Sequence, residues 1–92
     1  LHCMFEEGLA PGELRQLCSL LCEKGELAAV FSGSDEEGYK YALGSTGRDV
    51  RSLGKAFNQV LQGRGGGSKE LVQGTCAASR REIEEFLSNL SE

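Results

Sequence analysis

The sequence predicts an α/β fold: a mixed four-stranded sheet with about three packed helices, in the order β-α-β-β-α-β-α. Three observations predict it. Short apolar runs containing Val, Phe, Tyr and Ala alternate with segments of helical period. Most of the 13 glycines fall at the boundaries between these segments and form no repeat, which argues against a disordered or fibrous class. The 92 residues, 39% apolar and 26% charged, are enough for one domain and too few for two.

The elements follow in order. Residues 1–6 (LHCMFE) read as a strand. Pro11 opens a helix, because proline suits the first helical turn. Leu14, Leu17, Cys18 and Leu21 give that helix one apolar stripe, and Gly25 is its stop. Residues 26–32 (ELAAVFS) form a second strand, apolar on both faces through its centre. The turn-rich run Ser32 to Gly38 leads into a third strand, Tyr39 to Gly44, as a hairpin with a solvated acidic tip. Gly44-Ser45-Thr46-Gly47 breaks the chain. A second helix follows, with Asp49 or Thr46 as its cap. Val50, Leu53, Phe57 and Leu61 form its buried stripe, widened by Ala56 and Val60. Gly54 inside it costs about 1 kcal/mol against alanine, a cost that close packing on the sheet would explain. Gly63 ends it. Glu70 to Cys76 reads as the fourth strand. Ser79 and Glu82 make a capping box for a last helix with Ile83, Phe86, Leu87 and Leu90 on its apolar face. Helices that bridge successive strands imply parallel pairs with right-handed crossovers, and the hairpin adds an antiparallel pair. The pattern leaves strand order open.

No apolar run approaches the roughly 20 residues that span a bilayer, and no basic leader precedes the first strand. The chain opens without an initiator Met, inside a strand, and reads as a C-terminal fragment of a longer cytoplasmic protein. The four cysteines are Cys3, Cys18, Cys22 and Cys76. Cys18 and Cys22 stand one helical turn apart, a spacing that two metal ligands also use. No second pair follows, and His2 is the only histidine. The four read as free thiols, three of them buried, which fits a reducing compartment. No metal or other cofactor is expected.

The net charge is −4, which disfavours nucleic acid when taken whole. Its distribution says otherwise. Residues 48–69 hold Arg48, Arg51, Lys55, Arg64 and Lys69 against Asp49 alone, whereas the remainder holds five cations and thirteen carboxylates. A local basic stretch of this kind is what a polyanion needs.

The run Gly63-Arg64-Gly65-Gly66-Gly67-Ser68 lies at the end of that stretch. Consecutive glycines cost conformational entropy and add nothing to a core. They suit a backbone that approaches a ligand or adopts positive φ, and successive amides can form an anion-binding concavity. Arg64 adds a planar donor fork. The bland alternative is a flexible connection. The run is neither a P-loop nor a dinucleotide fingerprint, because it leaves a helix instead of opening one. Ser45, Thr46 and Arg48, at the start of the second helix, are a second candidate for anion binding. With a helix of about 14 residues, the two sites would stand roughly 20 Å apart at 1.5 Å per residue. A polynucleotide could touch both, with Arg51 and Lys55 between them, but one small anion could not. No residue set suggests catalysis. His2 has no Ser or Cys partner, and the pairs Glu6-Glu7, Glu36-Glu37 and Glu84-Glu85 read as solvated.

Tyr41-Ala42-Leu43-Gly44-Ser45, a helix, and then Gly63-Arg64-Gly65-Gly66-Gly67-Ser68-Lys69-Glu70-Leu71-Val72-Gln73-Gly74 together resemble the DHH-associated C-terminal domain. That domain occurs in alanyl-tRNA synthetases, free-standing alanyl-tRNA editing proteins and DHH phosphoesterases. The motif covers about residues 39–76, within a single domain of residues 1–92. Ser68 stands where the phosphoesterase branch usually carries His, whereas Arg64 and Gln73-Gly74 are similar to the synthetase branch. The resemblance implies a non-catalytic, tRNA-binding accessory module; the charge and glycine pattern puts its expected phosphate contacts at Gly63 to Ser68, Arg48, Arg51, Lys55, Ser45 and Thr46. Two alternatives stay open. One is the substrate-binding lobe of a DHH phosphoesterase. The other is a dimerisation module using an open sheet edge or the last helix.

Overall fold

The computed structural model describes residues 2–22, 27–47 and 49–90. Gly25 and Arg48, expected above as a helix stop and a phosphate contact, lie outside the described residues, as does the side chain of Leu90. The elements are β1 (His2–Phe5), α1 (Pro11–Leu21), β2 (Ala28–Ser34), β3 (Gly38–Gly44), α2 (Arg51–Val60), β4 (Gly63–Gly67), β5 (Leu71–Cys76) and α3 (Arg80–Leu90). The class is mixed α/β as expected, but the sheet has five strands, in the order β1-β2-β3-β5-β4. The extra strand is the glycine run.

β1 and β2 pair in parallel across the α1 crossover, and β2 and β3 form the antiparallel hairpin. The strands that α2 joins, β3 and β4, run parallel as expected but are not neighbours, because β5 lies between them. After α2 the chain enters β4 and turns back, so β5 meets β3 antiparallel. An added strand reverses the direction of whatever follows it.

Alternation along the strands divides the core. Ala28, Val30 and Ala42 face α1, where Leu14, Cys18 and Cys22 are buried against them. Ala29, Phe31, Tyr41, Leu43, Val72 and Cys76 face α2 and α3 and meet Val50, Phe57, Leu61, Ile83 and Leu87. Phe57 sits at the centre of that layer. Its ring lies 4.7 Å from Tyr41, 5.5 Å from Phe86 and 5.9 Å from Phe31. Ala56 and Val60, expected to widen the stripe, are exposed. The buried arc of α2 runs instead through Gly54, where an added β-carbon would stand 2.9 Å from a Val72 methyl carbon. Gly54 therefore lets α2 lie close on β5.

Helix ends follow local chemistry. Pro11 opens α1, and the Glu13 carboxylate accepts from the Ala10 N–H at 3.0 Å. The expected capping box opens α3: Glu82 N–H donates to Ser79 Oγ, and Ser79 N–H donates to Glu82 Oε1, both at 3.2 Å. α2 starts later than expected, behind Val50, whose N–H donates to Lys69 O at 2.8 Å. It has ten residues and so extends about 15 Å. Its stop is Gln62, not Gly63: Gln62 holds φ 53°.

A left-handed residue past a helix end is most often glycine, since side chains raise its cost by about 1 kcal/mol. Gln62→Gly is therefore expected to raise stability by about 0.5–1 kcal/mol. A urea unfolding midpoint checks this, and a lowered midpoint would contradict the assignment.

Candidate nucleic-acid interface

The β4–β5 hairpin decides where the candidate residues go. Arg64 pairs with Thr75, Gly65 with Gly74, Gly66 with Gln73 and Gly67 with Val72. The two strands approach too closely for side chains at two of these glycines. A β-carbon on Gly65 would fall on the Gln73 carbonyl oxygen, and one on Gly67 on the Leu71 carbonyl oxygen. Gly66 differs, with nothing within 4 Å of such an atom. None of Gly63 to Gly67 has positive φ. The glycines therefore serve close strand pairing, and the run is not the flexible connection that its composition also allowed.

Ser68 closes the hairpin. Its N–H donates to Leu71 O at 2.9 Å, and its hydroxyl accepts from the N–H groups of Glu70 and Leu71 at 3.3 Å. Antiparallel pairs alternate between exchanging hydrogen bonds and not. Counting back from Ser68, Gly66 and Arg64 turn their amides to β5. Gly65 and Gly67 turn theirs to the open edge of the sheet.

β4 runs back along α2. This removes the roughly 20 Å separation expected between helix start and glycine run. A groove of about 340 Å³ lies between the two elements. Arg51, Ser52, Lys55 and Asn58 line it from α2, Gly65 to Gly67 line it from β4, and Val72 forms its floor. Two tethers hold its walls. Tyr41 O–H donates to Asn58 Oδ1 at 2.7 Å, and Asn58 Nδ2 reaches Gly65 O at 3.5 Å. At the other end, Val50 is tied to Lys69 as above, and Ser45 N–H donates to Glu70 O at 3.0 Å.

The cations differ in availability. The Arg51 guanidinium is held by Asp49, with Nη2 to Oδ2 at 2.6 Å and Nε to Oδ1 at 3.0 Å. The Asp49 carboxyl is pushed down to about 2, mainly by its hydrogen bonds from Arg51, with smaller help from the Lys69 charge. Lys55, by contrast, has no acidic partner among the described residues and stands exposed on the groove wall.

Not all expected residues gather here. Ser45 is fully buried, and its hydroxyl accepts from Gly47 N–H at 3.2 Å. Thr46 donates its hydroxyl to Cys22 O at 2.9 Å. The Ser45 hydroxyl is enclosed, and the Thr46 hydroxyl is tied to the end of α1 although the residue itself is exposed. Arg64 shares a face with Thr75, and therefore stands on the side of the sheet away from α2. Sequence reasoning missed Asn58, Ser52 and the position of Lys69. Asn58 left a signal, a polar residue one place after Phe57 on a largely buried helix flank. None of the four cysteines is in a disulfide; Cys18, Cys22 and Cys76 are buried and Cys3 is exposed. Burial pushes the Cys18 thiol up to about 12, which suits a core residue and not a nucleophile.

No protein-family model matches the chain, and no curated protein matches it in sequence. Among solved structures it is similar to the C-Ala domain of the alanyl-tRNA synthetase from Aquifex aeolicus. The TM-score is 0.80 at 24% identity, over 97% of this chain and 85% of the other. The chain has the C-Ala fold. At this identity the likeness concerns architecture, and the groove stands on its own geometry.

Two outcomes test that geometry. Gly65→Ala should cost on the order of 2–3 kcal/mol through backbone collision. Gly66→Ala should leave stability unchanged or raised by up to about 1 kcal/mol. Equal effects in thermal unfolding would contradict the register. The Asp49 carboxyl should titrate near 2 by NMR, and return towards 3.8 in Arg51→Ala. Because its folded value is depressed, the pair stabilises above the ordinary carboxylate range, and that contribution fades as pH falls towards about 2.

Proposed function

We propose that this chain is a non-catalytic, tRNA-binding accessory domain of an alanyl-tRNA synthetase-related or alanyl-tRNA editing protein. The groove between α2 and β4 is its contact with the RNA backbone. The observation that carries the reading is the meeting of two kinds of phosphate donor along one groove: the edge amides of Gly65 and Gly67, and Lys55, which has no acidic partner among the described residues. Lys69 adds charge at the end of the groove, beside Asp49.

Elementary electrostatics supports backbone recognition over base reading. The groove walls carry amides, ammonium and hydroxyl groups and, among the described residues, no aromatic ring. Stacking on aromatic side chains is the usual way to hold splayed bases. A surface of amides and cations instead positions a phosphodiester chain without reading its sequence. The C-Ala fold supports the assignment to the tRNA branch, since the similar domain belongs to an alanyl-tRNA synthetase. Ser68 supports it too. Its hydroxyl fastens the hairpin turn, where the phosphoesterase branch would place an imidazole. A cytoplasmic parent protein fits this reading.

The test is tRNA affinity measured across a salt series. Each neutralised phosphate releases counterions, so the logarithm of the affinity should fall linearly with that of salt concentration. Lys55→Ala combined with Lys69→Ala should weaken binding and flatten the slope by about 1 for each phosphate that is no longer neutralised. Affinity and slope equal to those of the parent chain would overturn the reading. Arg51→Ala should change little, because that guanidinium is already held by Asp49.

A further inference from the structure

The opposite face of β4 carries a second set of donors. In the register, Arg64 lies opposite Thr75, Thr75 opposite Lys40, and Lys40 opposite Ser32. Cross-strand partners share a face, so these four residues form one row across β4, β5, β3 and β2. The face is the one that α1 covers elsewhere. Gln73, two residues before Thr75 on β5, donates to Pro11 O at 2.9 Å and marks where α1 begins to cover the sheet. Beyond that point Arg64, Thr75 and Lys40 are open, whereas Ser32 is buried and accepts from Leu9 N–H at 3.0 Å. The row lines a hollow of about 870 Å³, bounded by the loop from Gly8 to Ala10 and by the β2–β3 hairpin.

Arg64, Thr75 and Lys40 are exposed. Among the described residues, neither Arg64 nor Lys40 lies within ion-pair distance of a carboxylate. The carboxylates near the hollow belong to the hairpin tip. Asp35 also lines the hollow, and its Oδ1 accepts from Tyr39 O–H at 2.8 Å and from Arg80 N–H at 2.9 Å. Glu36 and Glu37 remain on the hollow's far wall. Positive charge thus lies along the β4 and β3 side of the hollow, and negative charge at the hairpin rim.

Only β4 separates this row from the α2 groove, and Gly65, Gly66 and Gly67 put no side chain in the way. We propose that the β4 edge is straddled: an RNA backbone that lies in the α2 groove crosses the edge over the Gly65 and Gly67 amides, and sets further phosphates on Arg64, Thr75 and Lys40. This rests on the groove being a nucleic-acid contact, as proposed above. It makes β4 the centre of the interface instead of its margin. The acidic hairpin rim repels phosphate and limits the track on the far side.

The probe is a tRNA transcript titrated against the 92-residue chain over a salt series. Arg64→Ala and Lys40→Ala should each weaken binding and lower the slope of log affinity against log salt by about 1, and their effects should add to that of Lys55→Ala. Arg64→Lys should keep most of the slope. Gly66→Glu, which meets open space on this face, should fold normally and weaken binding several-fold. Thermal unfolding of each variant confirms the fold. If Arg64→Ala with Lys40→Ala binds like the parent chain while the Lys55→Ala and Lys69→Ala pair does not, the RNA stays within the α2 groove and the straddled edge is wrong. If neither pair weakens binding, the groove itself is not the contact.

Discussion

Strand β4 can pair with β5 because almost no side chain stands between them. Gly65 faces Gly74 across the ladder, and a β-carbon on either would collide with the other strand's backbone. Much follows from that approach. It extends the sheet to five strands and reverses the chain so that β5 meets β3 antiparallel. It also brings the Ser68–Glu70 turn against the start of α2, where Lys69 and Glu70 carbonyls receive the Val50 and Ser45 amides. Gly54 makes the matching allowance on the helix, so α2 settles on Val72 and the groove is narrow. The glycines create a site indirectly. They build a bare strand edge beside a basic helix.

The charge distribution then becomes intelligible. A chain of net −4 gathers cations around one strand edge by folding. Lys55, Lys69 and Arg64 come from three elements and reach β4 from two faces and one end. Arg51, which also lines the groove, is neutralised by Asp49 and serves the helix start instead. Apart from Asp49 and Glu70 the acidic residues lie elsewhere, among them Glu36 and Glu37 at the hairpin tip and Glu82, Glu84 and Glu85 on α3. Such separation favours an oriented approach to a polyanion even when total charge opposes it.

What the sequence disclosed was local. Pro11, the Ser79–Glu82 capping box, and the Leu14–Cys18 and Ile83–Leu87 spacings act within a turn or two of helix, and each appears where expected. The hairpin of β2 and β3 was legible because its strands carry alternating or continuous apolar side chains. β4 was not, since strand preference is read from side chains and this strand has almost none. The helix stop fell on Gln62 because the chain needed Gly63 beside Asn58, where a β-carbon would stand 2.5 Å from Oδ1. The site was half legible. The basic stretch and the glycine run were visible as composition. Which face Arg64 takes depends on register with β5, a property no local pattern carries. Ser45 and Thr46 look like anion donors in sequence, but the end of α1 comes close enough for Cys22 O to take the Thr46 hydroxyl.

The glycine run is a paired edge strand, and the proposed interface depends on its outward amides meeting phosphate. Residue-resolved amide NMR tests it most directly, with exchange measured in the free chain and shifts followed on adding tRNA. Slow exchange is expected at Gly66, fast exchange at Gly65 and Gly67, and tRNA-induced shifts concentrated at those last two. Uniformly fast exchange from Gly63 to Gly67, or shifts that spare Gly65 and Gly67, would contradict this arrangement.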